Sequence, residues 1–307
     1  MKLQQLCYVI QVAESGSLTA AAEKLYVAQP SLSKSIAELE REMGITIFTR
    51  SRTGVELTED GERFLSQARQ VVEQANLLEA EFKGGEQIRR AFSVSSQHYA
   101  FVVNAFVSLV REYGRSRYEF ALREGTTSGI IDDVRTLRSE LGVLYQSDFN
   151  RSVIANEVHR AGLRMESLFS ADLHVFVSRD HPLATQTSID PKDLAPWPLL
   201  AYDQGIHNSP YFAEEPHVDA PVEKRIIVKD RATLFNLLIG LNGYTISSGI
   251  LSRSLNGDQI VSVPLKVRER MELVALRRAD RPLSPMASRY LELLDQYVQG
   301  YKKGQLS

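Results

Sequence analysis

The feature that most constrains this chain is a succession of helix signals, separated by short breaks, in residues 1–43. The first apolar stripe, at spacings of three and four, is Leu3, Leu6, Ile10 and Ala13. A helix with this stripe stops at Ser15-Gly16, and Ser17 is the predicted N-cap of a second helix over residues 18–25. The small pair Ala21-Ala22 lets a neighbouring helix approach closely. The pattern therefore predicts the tight crossing of a helix-turn-helix.

A third helix is predicted after the break at residues 26–28. Pro30 lies in its first turn, where the missing N–H costs nothing, and Gly44 ends it. Its predicted buried stripe is Leu32, Ile36, Leu39 and Met43. Its opposite side begins with Gln29, Ser31, Ser33, Lys34 and Ser35. Because Gln reads adenine and Lys reads guanine or phosphate in the major groove, this helix start is a candidate DNA-reading surface.

A hairpin is predicted next, with strands over residues 45–48 and 55–57 and a basic tip over residues 49–54. Arg50 and Arg52 in the tip are placed to reach a minor groove or the DNA backbone, as in a winged helix. The whole chain has a net charge of −2, and residues 1–60 hold 6 Lys/Arg against 8 Asp/Glu. A DNA-binding function therefore depends on where the positive charges lie rather than on their number.

A long helix is predicted from an N-cap at Thr58 to residue 82. Its apolar seam, at alternating spacings of four and three, is Phe64, Ala68, Val71, Ala75, Leu78 and Phe82, widened by Leu65 and Val72. The simplest partner for this seam is a second copy, which predicts a homodimer that binds an inverted repeat in double-stranded DNA. The alternative is that the helix packs on the C-terminal domain of its own chain.

The N-terminal motifs resemble those of LysR-type transcriptional regulators. The resemblance covers roughly residues 1–65 and rests on residues 18–25 (Leu-Thr-Ala-Ala-Ala-Glu-Lys-Leu), Gln29-Pro30-Ser31-Leu32-Ser33-Lys34-Ser35-Ile36, Leu39-Glu40, Gly44, Phe48, Arg50 and Leu57-Thr58-Glu59-Asp60-Gly61. It implies that Gln29, Pro30, Ser33 and Lys34 enter the major groove and that Arg52 approaches the minor groove. Two departures are Ala28, where Ser or Thr often caps the helix, and Lys34, where Arg is common. The family is often tetrameric, so the resemblance leaves open whether the chain forms a homodimer or a homotetramer.

From Ala91 onward, short apolar strands alternate with helical stretches, which is typical of α/β construction. Strands are predicted at 92–96, 118–123, 141–145, 173–177, 198–201, 226–228, 245–247 and 272–276, and helices at 98–113, 130–137, 232–241 and 285–298. By the resemblance, this part forms two periplasmic-binding-protein-like lobes. The expected domains are 1–58 (winged helix-turn-helix), 59–87 (linker helix) and 88–307 (effector domain), with lobe one at 91–161 and 267–307 and lobe two at 162–266.

Polar residues follow several of these strands, where open α/β sheets form their pockets. The candidates for binding a small effector are Ser95, Ser96, Gln97, Thr126, Thr127, Tyr145, Tyr202 and Ser247. Their hydroxyl and amide groups, together with exposed N–H groups at helix starts, suit a small anion such as a carboxylate. The resemblance favours Ser96, Gln97, Thr126 and Tyr202 among them. The alternative for each Ser or Thr is a helix cap.

The remaining features exclude several other classes. No apolar run approaches about 18 residues and no basic-then-apolar leader opens the chain, so we expect a soluble, cytoplasmic protein. Cys7 is the only cysteine, and the six histidines never pair four residues apart, so we expect neither a metal site nor a cofactor. No common catalytic motif occurs, so we expect no enzyme. The alternatives are a solute-binding protein or a protein-interaction module whose helical N-terminus does not bind DNA.

Overall fold

The computed structural model describes residues 1–51, 54–82, 90–114, 118–206, 209–216 and 222–304. The chain divides into two compact units, Met1–Arg89 and Arg90–Ser307. No helix among the described residues is long and apolar enough to cross a membrane.

The described residues of the first unit form four helices and one hairpin. In chain order these are α1 (Leu3–Ser15), α2 (Leu18–Lys24), α3 (Gln29–Met43), β1 (Phe48–Ser51), β2 (Gly54–Leu57) and α4 (Glu59–Phe82). This order confirms the predicted winged helix-turn-helix and long helix. The first strand begins at residue 48 rather than 45. The cause is Glu40, whose Oε1 accepts the N–H groups of Ile47 and Phe48 at 2.7 and 3.1 Å and so holds this stretch to α3.

The core of the first unit lies between α1, α2, α3 and the first half of α4. Its buried residues are Leu6, Val9, Val12, Ala21, Ala22, Leu32, Ile36, Leu39, Ile47, Leu65 and Ala68. The predicted pair Ala21-Ala22 is fully enclosed, as a tight helix crossing requires. The predicted stripes were wrong at two helix ends. Leu3 is 39% exposed and Met43 is 42% exposed, because the first and last residues of α1 and α3 extend past this core.

Two glycines fix how the hairpin and α4 join this core. Gly54 has a φ of 141°, and the next residue, Val55, donates its N–H to Gly16 O at 2.9 Å. A Cβ at Gly54 would lie 2.3 Å from Gly16 O, and a Cβ at Gly61 would lie 2.1 Å from Ile47 O. Both positions therefore require glycine, since the clash in each case is with backbone rather than with a movable side chain.

The second unit alternates strands and helices, as the sequence predicts. Its elements are β3 (Arg90–Ser96), α5 (Ala100–Tyr113), β4 (Tyr118–Glu124), α6 (Thr127–Arg135), β5 (Leu141–Gln146), α7 (Arg151–Arg160), β6 (Leu163–Asp172), β7 (His174–Ser178), β8 (Leu199–Tyr202), β9 (Arg225–Val228), α8 (Arg231–Leu241), β10 (Thr245–Ser247), α9 (Arg253–Asn256), β11 (Ile260–Pro264), β12 (Arg270–Arg278) and α10 (Pro285–Lys302). The sequence pattern does not predict β6 and β11.

Two sheet systems divide this unit into two lobes. Lobe one is built on a five-stranded sheet in the order β4-β3-β5-β12-β6, in which β3 is parallel to β4 and β5 and β12 is antiparallel to its neighbours. Lobe two contains the sheet β10-β7-β11 and the pair β8-β9. A bridge between Leu199 and Tyr244 connects these two groups of strands.

The chain crosses between the lobes at two adjacent places, after β6 and before β12. Leu265 donates its N–H to Leu173 O at 2.9 Å, so the two crossings lie side by side. The expected lobe boundary at residue 162 therefore differs from the structure. β6 pairs with β12 along its whole length, from Leu163 to Asp172, and so extends the sheet of lobe one.

Candidate functional site

The first candidate site is the start of α3. No side chain caps this helix at Ala28, and Pro30 lies in its first turn. Pro30, Ser31 and Lys34 are exposed, whereas Gln29 and Ser33 are half-buried. Within the described part of the first unit Lys34 makes no ion pair. The opposite face of α3 is buried, so this end of the helix presents its polar groups outward.

Of the two predicted wing arginines, the structure describes the backbone of Arg50 but not Arg52. Arg50 lies in β1 opposite Val55 of β2, and the register brings Ser51 opposite Gly54. Arg52, the second predicted contact, lies outside the described residues. The wing is held to the turn between α1 and α2 by the Val55–Gly16 hydrogen bond.

Tyr26, in the turn between α2 and α3, is a surface residue that the sequence reasoning missed. Its side chain is 96% exposed, and its backbone has a φ of 55°, in the left-handed region. Glycine usually occupies this place after a helix, because a Cβ there costs about 1–2 kcal/mol. A strained residue whose ring gains no burial is a candidate for function. The signal available in the sequence was a large aromatic at the position where glycine is usual.

The second candidate site is the cleft between the two lobes, at the end of β3. Ser95 is bonded to Asp133 Oδ2 at 2.6 Å and to Ser139 Oγ at 2.8 Å, so its hydroxyl holds the second half of α6 and the connection before β5 to β3. Ser96 is fully buried, and in the described part of the unit its Oγ has no hydrogen-bond partner. These neighbouring serines therefore differ, because only Ser96 retains an unused hydroxyl.

Gln97 connects three elements below the cleft. Its Nε2 donates to Thr127 Oγ1 at 2.7 Å, and its Oε1 accepts from Tyr99 Oη and from the N–H of Tyr145, each at 2.8 Å. Gln97 is fully buried. Its amide is therefore held by lobe-one groups, with two bonds to Oε1 and one from Nε2.

The start of α6 is occupied by groups from lobe two. Thr126 caps α6, since its Oγ1 accepts the N–H of Gly129 at 3.1 Å. The N–H of Thr127 donates to Gln204 Oε1 at 3.0 Å, and its hydroxyl donates to Phe212 O at 2.8 Å. The first free N–H of this helix, which an anion would use, is thus bonded to the chain itself.

His98 makes two hydrogen bonds with a single buried carboxylate, that of Glu214. The backbone N–H of His98 donates to Glu214 Oε1, and the ring Nδ1 is hydrogen-bonded to Glu214 Oε2, both at 2.7 Å. The two side chains are only 6% and 5% exposed. The His98 ring stacks on Tyr202, with ring centres 3.9 Å apart and planes 4° from parallel. Burial lowers the pKa of His98, but the charge and hydrogen bond of Glu214 outweigh it, so the pKa of His98 is raised.

Glu215 is buried beside Glu214. Its Oε1 accepts the N–H of Tyr202 at 2.9 Å, and its backbone oxygen accepts from Tyr145 Oη at 3.2 Å. Burial, with the charge of Glu214 as the next cause, raises the pKa of Glu215 to about 8. Of the predicted residues, Gln97, Thr127, Tyr145 and Tyr202 are thus brought to one cleft, together with carboxylates that were not predicted.

The space left in this cleft is small. The cavity beside His98 and Tyr202 has a volume of about 30 Å³. Ser247 and Arg231 also line it, and Arg231 is paired with Glu124. Its apolar wall includes Phe176, Phe235, Ile246, Ile250 and Leu251. Among the described residues no group of His, Cys, Asp and Glu side chains is placed to hold a metal ion.

A winged helix-turn-helix unit followed by a two-lobed α/β unit with a cleft defines a DNA-binding regulator that carries its own ligand-binding domain. The comparisons agree. Residues 3–62 match the bacterial regulatory helix-turn-helix proteins of the lysR family, and residues 93–299 match the LysR substrate binding domain. The chain therefore belongs to the LysR family of DNA-binding transcription regulators.

Curated relatives match most of the chain. The HTH-type transcriptional regulator AlsR of Bacillus subtilis (strain 168) is 27% identical over 256 residues, which are 81% of this chain and 78% of AlsR. The uncharacterized HTH-type transcriptional regulator YdcI of Escherichia coli (strain K12) is 27% identical over 227 residues, 73% of this chain and 69% of YdcI. These relatives are named as transcription regulators rather than as enzymes.

Among solved structures, a full-length OxyR variant from Pseudomonas aeruginosa is similar, with a TM-score of 0.59 and 21% identity. The match covers 97% of this chain and 95% of that one. At this level of identity the likeness shows the fold.

Proposed function

We propose that this regulator reads DNA with the exposed start of α3 and the neighbouring wing. The reading residues are Gln29, Pro30, Ser31, Ser33 and Lys34 on α3, with Arg50 and Arg52 on the wing. The observation that carries this assignment is the one-sided character of α3: its apolar face is buried, while its polar start faces outward and Lys34 makes no ion pair within the described residues of this unit. Tyr26, exposed in the preceding turn, adds a phenol that suits a phosphate oxygen.

The proposed DNA target is an inverted repeat bound by a homodimer or homotetramer. The first half of the α4 seam is partly used within the chain, since Leu65 and Ala68 are buried against the core. Val71 remains 45% exposed beside an apolar groove of about 440 Å³ that Leu6, Phe64 and Met43 also line. A second copy of the chain covers such a face and places two reading helices on one duplex.

The proposed effector is a small anion bound between the lobes. Its candidate contacts remain Ser96, Gln97, Thr126, Thr127, Tyr145, Tyr202 and Ser247, whereas Ser95 is bonded to Asp133 and Ser139. Two observations support a ligand at this place. Among the described residues, Ser96 Oγ and Arg231 Nε are buried without a partner, so the cleft retains polar groups that a ligand can satisfy.

The DNA-binding proposal is tested by a salt series with the full-length protein. Duplexes selected from a random library should contain an inverted repeat. Replacing the wing arginine, Arg52→Ala, should weaken binding to all sequences alike and reduce the slope of log K against log salt by about 1. Arg253→Ala, an exposed arginine of the second unit, is the matched control. An unchanged slope removes Arg52 from the interface, and no duplex binding at low ionic strength refutes the proposed function.

A further inference from the structure

We propose that the effector site contains a built-in ligand: the Glu214 carboxylate occupies a carboxylate seat on His98, and a small carboxylate effector acts by replacing it. This inference rests on the proposed effector function of the cleft. The segment concerned, residues 209–216, is called the strap here, and the seat is the N–H and imidazole Nδ1 of His98.

The geometry of the seat is that of a bound carboxylate. Each oxygen of Glu214 has its own partner on His98, and both distances are 2.7 Å. The seat lies immediately before α5, whose first N–H groups add a positive end dipole. Stacking on Tyr202 fixes the plane of the imidazole. A free carboxylate of a metabolite offers the same two acceptor oxygens, so exchange with Glu214 conserves both hydrogen bonds.

The strap closes the cleft by further contacts with lobe one, among them a hydrogen bond from Asn150 Nδ2 to Tyr211 O at 3.4 Å. Phe212 O accepts from the Thr127 hydroxyl at 2.8 Å, and Glu215 O accepts from Tyr145 Oη at 3.2 Å. The Tyr211 ring stacks on Phe149 at 4.8 Å. The strap belongs to the connection between β8 and β9 of lobe two, so these contacts hold the two lobes together.

The remaining volume argues that the strap must move before a metabolite binds. The cavity of about 30 Å³ has room for about two water molecules, at roughly 10–15 Å³ each. A carboxylate effector therefore needs the space that the Glu214 side chain now fills. Its non-polar part would then meet the wall formed by Phe176, Ile246 and Leu251.

The choice of a carboxylate to fill this space is itself informative. Burying an ion costs several kcal/mol unless its partners compensate, and an apolar side chain would fill the same space without that cost. The charged and titratable groups around the His98–Glu214 pair are Arg231, Glu124, Asp230 and Glu215. Arg231 is paired with Glu124 through its terminal nitrogen, while its buried Nε has no partner in the described part of the unit. The site thus retains a cationic donor beside the seat for an incoming anion.

The test removes the built-in ligand and supplies it again from solution. Glu214→Ala in the full-length protein deletes a group of the size of acetate. We expect sodium acetate to raise the melting temperature of Glu214→Ala and to shift the His98 ring resonances saturably, with a dissociation constant at least tenfold lower than for the unsubstituted protein. Acetamide, which has the same shape without the charge, should do neither. Glu223→Ala, an exposed glutamate outside the cleft, should behave as the unsubstituted protein.

Equal acetate binding by Glu214→Ala and the unsubstituted protein, or none by a folded Glu214→Ala, overturns the proposal. If Glu214→Ala does not fold, Glu214→Gln keeps the shape of the side chain and decides the question. Its His98 should then titrate at lower pH than in the unsubstituted protein, and an unchanged titration overturns the carboxylate seat. None of these readouts uses DNA, so a failure of DNA binding is distinguished from a failure of the seat.

Discussion

Polar side chains line both the start of α3 in the first unit and the cleft of the second unit. They are exposed on α3 and buried in the cleft. On α3, Ser31 and Lys34 are exposed, and Lys34 makes no ion pair within the described residues. In the cleft, Gln97 and Thr127 are buried, and each is bonded to other parts of the chain. Polar side chains are therefore kept exposed on α3 of the first unit and kept buried and bonded in the cleft of the second.

The difference follows from the ligands that the two surfaces are proposed to take. A duplex is large and approaches from solvent, so water satisfies the reading groups until DNA replaces it. A small-molecule cleft excludes water, and a buried polar group without a partner costs about 1–3 kcal/mol. The cleft therefore satisfies most of its recognition groups from within, and the strap supplies acceptors to His98, Thr127 and Tyr145. Among the described residues, Ser96 Oγ and Arg231 Nε stay without a partner. Polar side chains that are hydrogen-bonded within the closed cleft can therefore still bind an effector once the strap moves away.

The largest effect that separates the two units is expected from one glycine. Gly61→Ala places a Cβ 2.1 Å from Ile47 O, so the start of α4 must move away from the core. We expect the first unit to lose about 3 kcal/mol, as for other overpacked sites. Trp197, the only tryptophan, lies in the second unit and reports on it alone by fluorescence. On heating, circular dichroism should show part of the chain unfolding at a lower temperature than in the unsubstituted protein. The unfolding transition seen by Trp197 fluorescence should stay at the same temperature.

Gly240→Ala is the matched control in the second unit. This helical glycine of α8 has open space around a built Cβ. The substitution should stabilise the second unit by about 0.5–1 kcal/mol, because alanine restricts the unfolded chain. The Trp197 transition should then move upward. If Gly61→Ala also shifts the temperature of the Trp197 transition, the two units do not unfold independently.

The closed state of the cleft makes its stability dependent on pH. The pKa of Glu215 rises from 4.5 to about 8 on folding, so between these values the folded state holds a proton that the unfolded state has lost. Stability therefore falls as pH rises through this window. The raised pKa of His98 acts in the same direction above 6.5. Between pH 5 and 8 the Glu215 contribution is at most about 4 kcal/mol.

Glu215→Gln removes this titration while keeping an oxygen for the N–H of Tyr202. For Glu215→Gln, the free energy of unfolding, measured by urea titration with Trp197 fluorescence, should fall much less between pH 5 and 8 than for the unsubstituted protein. The part of the fall that comes from His98 should remain. Glu223→Gln, at an exposed site, should follow the unsubstituted protein. Parallel pH profiles for Glu215→Gln and the unsubstituted protein would show that Glu215 is not protonated in the folded cleft.

The sequence predicts the first unit well because its signals are local. Thr58 caps α4 as expected, with its Oγ1 accepting the N–H of Gly61 at 2.9 Å. The α3 stripe at Leu32, Ile36 and Leu39 is also confirmed. These features depend on residues three or four apart, which periodicity and capping preferences read directly.

The cleft is predicted only in part because its partners are remote. His98 and Glu214 are 116 positions apart, and the strap has neither helical nor strand periodicity. The strand signals at Tyr145 and Tyr202 place these residues at the cleft, but no local pattern reveals which groups fill it. β6 is missed for a related reason: as an edge strand its exposed positions interrupt the apolar run.

The open surface of α3 predicts a sequence-specific loss on changing Gln29. Gln29→Ala should cost about 1–3 kcal/mol on the selected site and much less on unrelated duplex, because a base contact is lost rather than a phosphate contact. Competition gel shifts with both duplexes measure this ratio. Gln186→Ala, an exposed glutamine of the second unit, is the control. An unchanged ratio would remove Gln29 from the reading surface.

The smallest expected effect concerns Tyr26, where folding and binding should respond in opposite directions. Tyr26→Gly relieves the left-handed backbone at φ 55°, so we expect the first unit to gain about 1 kcal/mol. Loss of the phenol should weaken DNA binding about threefold on every sequence, as for a single neutral hydrogen bond to phosphate. Tyr26→Phe should weaken binding without the gain in stability. If Tyr26→Gly is more stable and binds DNA as before, the strain at this turn serves no contact with the duplex, and only the helix start and the wing remain as its open reading surface.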